Sequence, residues 1–313
     1  MKLIQIVCIL WCIVCTTSSY SQQIWGYYLK NSMPYQKHAQ YWDKRFATLN
    51  VLCFTGITIH NKGCNIPTFE EDLVLFNKAQ TRNIALVPHI TFTSVKAGMA
   101  FFKSQQHWQA TITKLAHAIQ QNKWAGCHFD FEYIPASYIQ NLVEFLKYVR
   151  AIVPEISLSM AMFPQVEFNP ALASFHDFAI LSPYVDTIVL MCYDYHNPKT
   201  KPGPVTSIQW TQKNIEYALQ YFKPHQIWLG VPAYGYMWKN NSYHSVITMK
   251  SLPHYISLYS NYRHNSETVA LEYIKNGDRF IAYVPDKALH NQLYALALQY
   301  KLKGIALWRL GFE

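Results

Sequence analysis

Eight short apolar runs alternating with longer stretches constrain this chain more than any other feature. The runs fall at residues 24–29, 50–59, 84–90, 124–133, 156–163, 186–195, 226–234 and 304–310. Residues 108–121, 137–153, 211–222 and 287–300 lie between them and carry apolar side chains at three- and four-residue spacing, the period of an amphipathic helix. Such alternation makes parallel strands joined by crossover helices. Eight units close as an α/β (β/α)8 TIM barrel, which 313 residues with 50% hydrophobic content can fill as one domain over residues 22–313. A doubly wound open sheet is the competing arrangement, but no glycine-rich turn follows the first run to receive a phosphate.

One connection is too long for a simple crossover. Residues 236–283 hold an expected helix at 251–262 and two expected strands at 268–274 and 279–284, the latter pair around an Asn276-Gly277 turn. They form a small α+β insertion after the seventh strand, either a wall of a cleft or a plain excursion. The chain reaches Glu313 soon after the eighth strand, so a partner, a retained N-terminal segment or a loop is expected to cover the seam where an eighth helix would pack.

The N-terminus has the order of a signal peptide over residues 1–21. Lys2 precedes an apolar run at 3–15, and Ser19-Tyr-Ser21 places small residues where a signal peptidase cuts, before Gln22. A run of about 13 apolar residues is short for a membrane span. The chain therefore meets a membrane only if this segment is retained, and is otherwise secreted or sent to the periplasm or cell envelope. Export permits disulfides, yet Cys53, Cys127 and Cys192 each sit in an apolar strand beside a residue assigned to the inner face. They are expected to point outward as small buried hydrophobes, and neither a disulfide framework nor a metal site is expected. The formal charge of +9 comes without a Lys/Arg run, which suits a basic surface facing an anionic polymer better than a nucleic-acid stripe. The sequence specifies no oligomeric state.

The fourth run, Trp124-Ala-Gly-Cys-His-Phe-Asp-Phe-Glu-Tyr133, carries the chemistry. Alternation along a strand puts Cys127, Phe129 and Phe131 on one face and His128, Asp130 and Glu132 on the other. An unpartnered carboxylate cannot be buried cheaply, so these groups need solvent at a strand end or each other. The inner face near the C-terminal end of a barrel strand is where such folds keep their active sites.

Four segments in order resemble glycoside hydrolase family 18, the chitinases and related N-acetylglucosaminidases, and within it the bacterial enzymes of spore cortex and peptidoglycan. Ala125-Gly-Cys-His-Phe-Asp-Phe-Glu132 is similar to the family's D-G-x-D-x-D-x-E, Met191-Cys-Tyr-Asp194 to M-x-Y-D, and Gly230-Val-Pro-Ala-Tyr-Gly235 to G-x-P-x-Y-G. Gly304-Ile-Ala-Leu-Trp-Arg-Leu-Gly311 is similar to the closing strand with its buried Trp. The resemblance implies that Glu132 is the general acid and that Asp130 orients the N-acetyl group whose oxygen attacks the anomeric carbon. This retaining, substrate-assisted route stands apart from the usual two-carboxylate scheme. It further implies that Tyr193 bonds the acetamido carbonyl, that Asp194 holds the sugar, and that Trp308 floors the subsite, with Tyr27, Phe54, Met191 and Tyr234 lining it. Without the resemblance, a core aromatic is the favoured reading of Trp308, and Tyr193 and Asp194 fit a solvated strand end as well as they fit a site.

Two positions depart from the pattern. Ala125 replaces the first Asp near the start of the strand, and His128 replaces the middle one. His128 is expected beside Asp130 as its hydrogen-bond partner, and an imidazolium there would favour ionised carboxylates and oppose an acid at Glu132. The expected function is an exported hydrolase of β-1,4-linked N-acetylglucosamine-containing glycans, of peptidoglycan or chitin type, needing no cofactor. The alternative is a chitinase-like lectin that binds the same glycans without turnover.

Overall fold

A computed structural model describes residues 22–258, 262–264 and 268–313, and the expected signal segment lies outside them. Seven parallel strands come first: β1 (Gln23–Tyr28), β2 (Val51–His60), β3 (Ala85–Phe92), β4 (Cys127–Asp130), β5 (Leu158–Met162), β6 (Thr187–Leu190) and β7 (Ile227–Pro232). An excursion follows, with β8 (Tyr234–Lys239), β9 (Ser242–Thr248), β10 (Tyr262–His264), β11 (Val269–Lys275) and β12 (Asp278–Val284). The last strand, β13 (Gly304–Trp308), pairs with both β7 and β1, and β1 pairs with β2, so the eight parallel strands close into a barrel.

The amphipathic stretches form the outer layer, including α1 (Tyr35–Phe46), α2 (Leu73–Gln80), α3 (Val95–Phe102), α4 (Gln105–Asn122), α5 (Ile139–Ile152) and α6 (Ile208–Ala218). The short α7 (Leu252–Leu258) belongs to the excursion, and α8 (Lys287–Gln299) leads into β13. Outward side chains such as Tyr28, Phe54, Phe129 and Leu229 pack with Trp42, Phe101 and Leu293 between strands and helices. Each fully buried side chain of this size stabilises the fold by roughly 1.5–3 kcal/mol. A smaller cluster of Trp25, Tyr27, Val51, Cys53, Val87, Val189, Trp228 and Ala306 fills the barrel itself.

Register corrects two expectations. Residues matched across parallel strands share a face. Tyr27 of β1 is matched with Cys53, and Tyr28 with Phe54. Tyr27 points into the barrel, so Cys53 does too, and Phe54 points outward against Phe69, Phe76 and Trp124. Cys127 and Cys192 do lie in the outer layer, and the four cysteines of the described residues are all unpaired.

The excursion is larger than expected. Its strands form an antiparallel sheet in the order β9-β8-β12-β11-β10, and it begins at Tyr234 rather than at residue 236. Both hairpin turns, Asn240-Asn241 and Asn276-Gly277, have left-handed backbone at both central residues. That is the geometry a two-residue turn needs to match strand twist. At the seam, Leu310 seats on Gly26, where a Cβ would lie 2.7 Å from it, and the Glu313 carboxylate accepts from Tyr41 and Arg45 of α1. The residues after β13 thus fold over the gap toward α1.

Candidate active site

The polar face of β4 rises through the barrel in steps, and each step has a different environment. His128 is lowest and fully buried. Its Nδ1 lies 2.9 Å from Ser159 Oγ, and that hydroxyl donates to the Cys127 carbonyl at 3.1 Å. Ser159 must therefore accept from Nδ1–H, which leaves Nε2 to accept from the Tyr27 hydroxyl at 2.8 Å. The imidazole is neutral, and its pKa is lowered to about 3, by burial first and by neighbouring His89 second. His128 is thus neither a cleft-lining residue nor the partner of Asp130. It is a satisfied core histidine holding β1, β4 and β5 together.

Asp130 has a different partner. His89, on the inner face of β3, places Nε2 2.8 Å from Asp130 Oδ2. Burial by itself would raise the Asp130 carboxyl, but the hydrogen bond and charge of His89 hold it below the usual carboxylate range. The charge of His128 would help only if that imidazole were protonated, so the effect rests first on His89 and to a lesser degree on the adjacent Glu132 carboxyl. Asp130 Oδ1 is buried and has no partner of hydrogen-bonding geometry, although the Glu132 carboxyl lies beside it.

Glu132 follows just beyond the strand. Its carboxyl is pushed well above the ordinary range, by burial first, then by the adjacent Asp130 carboxylate and the charge of Asp194. Two carboxyls two residues apart are therefore driven in opposite directions, Asp130 toward the ionised form and Glu132 toward the protonated one. Such separation is how neighbouring acids take on distinct roles.

Glu132 opens into a cleft of about 290 Å³ that is also lined by Tyr133, Phe163, Met191, Tyr193, Asp194 and Tyr236. Asp194 Oδ1 accepts from Tyr234 at 2.6 Å and Tyr236 at 2.7 Å. Burial raises the Asp194 carboxyl, and the two hydroxyls oppose the rise. Tyr133 and Asp194 both have left-handed backbone, φ 62° and 60°, where non-glycine residues carry strain. Each stands just beyond a strand at the lip of the cleft, a place where such strain gathers. Trp308 is partly buried, its ring 5.0 Å from Tyr27 and 6.2 Å from His89. It packs against both the barrel interior and the aromatic wall of the cleft.

Of the residues singled out in the sequence, Glu132, Met191, Tyr193 and Asp194 line this cleft. Asp130, Tyr27, Tyr234 and Trp308 are gathered behind or beside it, while Phe54 and His128 are not part of it. Sequence reasoning missed His89 and Tyr236. His89 shows the same signal as Asp130, a polar residue on the inner face late in a barrel strand. Tyr236 repeats Tyr234 two residues on, along a strand that was not anticipated.

The sequence matches the family described as "Glycosyl hydrolases family 18" over residues 23–313. A Bacillus subtilis protein described as uncharacterized glycosylase YvbX is 25% identical over 205 residues, 62% of this chain and 59% of that protein. The cortical fragment-lytic enzyme of Bacillus anthracis is 27% identical over 131 residues, 41% of this chain and 30% of its own length. The matches thus span less than two thirds of these relatives' own lengths. Among solved structures, the Bacillus cereus spore cortex-lytic enzyme SleL superposes with a TM-score of 0.83 at 18% identity, over 93% of this chain and 71% of that one. A Chromobacterium violaceum chitinase does so with 0.82 at 19% identity, over 93% and 95%. At those identities the likeness speaks for the fold alone. The family match, running from the first barrel strand to Glu313 and taking in both Asp130 and Glu132, means that the chain belongs to glycosyl hydrolases family 18.

Proposed function

We propose that this chain is an exported glycosidase that cleaves β-1,4-linked N-acetylglucosamine-containing glycans, of peptidoglycan or chitin type, with retention and with help from the substrate. One observation carries the proposal: Glu132 lines the cleft with its carboxyl raised, and Asp130 lies directly behind it with its carboxyl lowered and one oxygen gripped by His89. Glu132 donates its proton to the leaving glycosidic oxygen. The acetamido oxygen of the sugar attacks the anomeric carbon, and the free Oδ1 of Asp130 accepts from the acetamido N–H and stabilises the charge that develops there. Tyr193 donates to the acetamido oxygen. A water then opens the cyclic intermediate, and Glu132 takes its proton. Met191 and the aromatic faces of Trp308 and Tyr236 pack on the sugar, while Asp194, set by Tyr234 and Tyr236, bonds to it.

In this account residues 1–21 direct export, and residues 22–313 are the glycosidase domain with the excursion as one wall of its cleft. The cortex-lytic names of the relatives support peptidoglycan as the substrate, and among the described residues no helix is long and apolar enough to cross a membrane. The test compares an N-acetylated oligosaccharide with its deacetylated form and adds a cyclic thiazoline mimic of the intermediate. The acetylated glycan should be cut, the free amine should not, and the thiazoline should inhibit. Equal rates on both would mean a protein nucleophile, and thiazoline binding without any turnover would mean a lectin.

A further inference from the structure

We infer, on the role of Asp130 proposed above, that His89 is the positioning residue for that carboxylate: it grips Oδ2 from the neighbouring strand and leaves Oδ1 presented to the substrate. The placement follows from register. β3 and β4 are parallel, with His89 matched to His128 and Thr91 to Asp130. His89 is therefore one inward layer below Asp130, at the right height for a side chain to reach up to it. The contact is 2.8 Å, and both groups are nearly buried.

His89 makes no other hydrogen bond that would explain its presence in a barrel interior. Its Nδ1 is buried without a partner. Leaving a buried polar atom unsatisfied is costly, so an apolar residue would serve packing better. The ring is instead walled by aromatic neighbours, with centroids of Tyr27, His128 and Trp308 at 6.0, 6.0 and 6.2 Å. An ionised carboxylate only accepts hydrogen bonds, so Nε2 carries the proton in this pair.

No other titratable group near Asp130 does as much of this work. Tyr27 from β1 and Tyr193 beyond β6 are phenols whose titration burial drives well upward, and Cys53 from β2 is a thiol raised likewise. His128 from β4 is neutral and committed to Tyr27 and Ser159. His176 is lowered to about 4 and bonds the Phe131 carbonyl. Glu132 lowers Asp130 less than His89 does and is itself a raised carboxyl, as is Asp194. Removing the imidazole should let burial raise Asp130, and the weaker charge on Asp130 should then let Glu132 fall. The working pH range narrows from both sides.

The experiment uses the mature protein with His89→Leu and His89→Asn, which respectively remove and partly keep the donor. His89→Leu should lower kcat/KM by about 10–100-fold, the effect of losing one hydrogen bond to a charged group. Its acidic limb should move up in pH and its alkaline limb down. His89→Asn should recover much of the rate. A substrate-free readout separates this inference from the proposed function: the 13C titration of the Asp130 carboxyl should move upward in His89→Leu whether or not any glycan is cut. Should the leucine variant fail to fold, the asparagine variant gives a smaller upward shift by the same measurement. An unmoved Asp130 titration in a folded variant, or a wild-type rate and pH profile on a glycan that the parent cleaves, would overturn it.

Discussion

Acidifying the solution should destabilise the fold through His128, by an amount its surroundings set. The imidazole is fully buried between Tyr27 and Ser159, and its pKa in the folded chain is lowered from 6.5 to about 3. In the unfolded chain it binds a proton near the ordinary value. Between about pH 6.5 and 3 the unfolded state therefore holds more protons, and stability falls as pH falls. Each pH unit in that window costs about 1.4 kcal/mol, which makes about 2 kcal/mol between pH 6.5 and 5. His176, lowered to about 4, adds a similar slope down to that pH. Glu132 works the other way: its folded-state carboxyl is raised, so acidification through its folded pKa is stabilising relative to the unfolded chain. The difference between wild type and His128→Asn removes these shared contributions. The variant starts less stable at pH 7, having lost packing and a hydrogen bond, but it does not titrate at this position. In denaturant titrations the gap between the two should close by about 2 kcal/mol on going from pH 7 to 5. Parallel stability curves would refute a neutral, buried His128 and restore it as a charged neighbour of the carboxylates.

Three further outcomes follow from the geometry. Tyr236→Phe removes one of two donors to Asp194 Oδ1 and should lower kcat/KM about tenfold with little change in melting temperature, read by steady-state kinetics. Phe54→Ala should destabilise the protein by about 3–5 kcal/mol in denaturant titrations while glycan affinity is unchanged, because the ring packs under the helices. Gly235→Ala would put a Cβ 1.9 Å from the Tyr283 carbonyl oxygen where β8 meets β12, so the denaturation midpoint should fall and the aromatic wall carrying Tyr236 should shift.

The barrel was legible because period-2 and period-3.6 patterns alternate over nearly the whole chain, and eight parallel strands have few ways to close. The carboxylates were legible because charge on the inner face of an apolar strand has no cheap structural explanation. Which residues share a face across two strands was not legible, since each run is read alone. Tyr27 and Phe54 both looked inward, yet the register that pairs Tyr27 with Cys53 excludes it. The partner of Asp130 was misassigned for the same reason. His128 is close in sequence, but only pairing of β3 with β4 brings His89 within 2.8 Å. The β8–β9 hairpin was missed because β9 shows water on most of its face and lacks the apolar alternation of a half-buried strand.

The central claim is that Glu132 protonates the leaving oxygen in a glycan-cleaving site. The most direct measurement incubates wild type and Glu132→Gln with peptidoglycan fragments and chito-oligomers, with products read by mass and binding measured in parallel. Wild type should release shorter products ending in N-acetylglucosamine. Glu132→Gln should bind as wild type does and turn over about 10²–10⁴-fold more slowly. Hydrolysis by Glu132→Gln at the wild-type rate would contradict the assignment of the acid and the mechanism built on it.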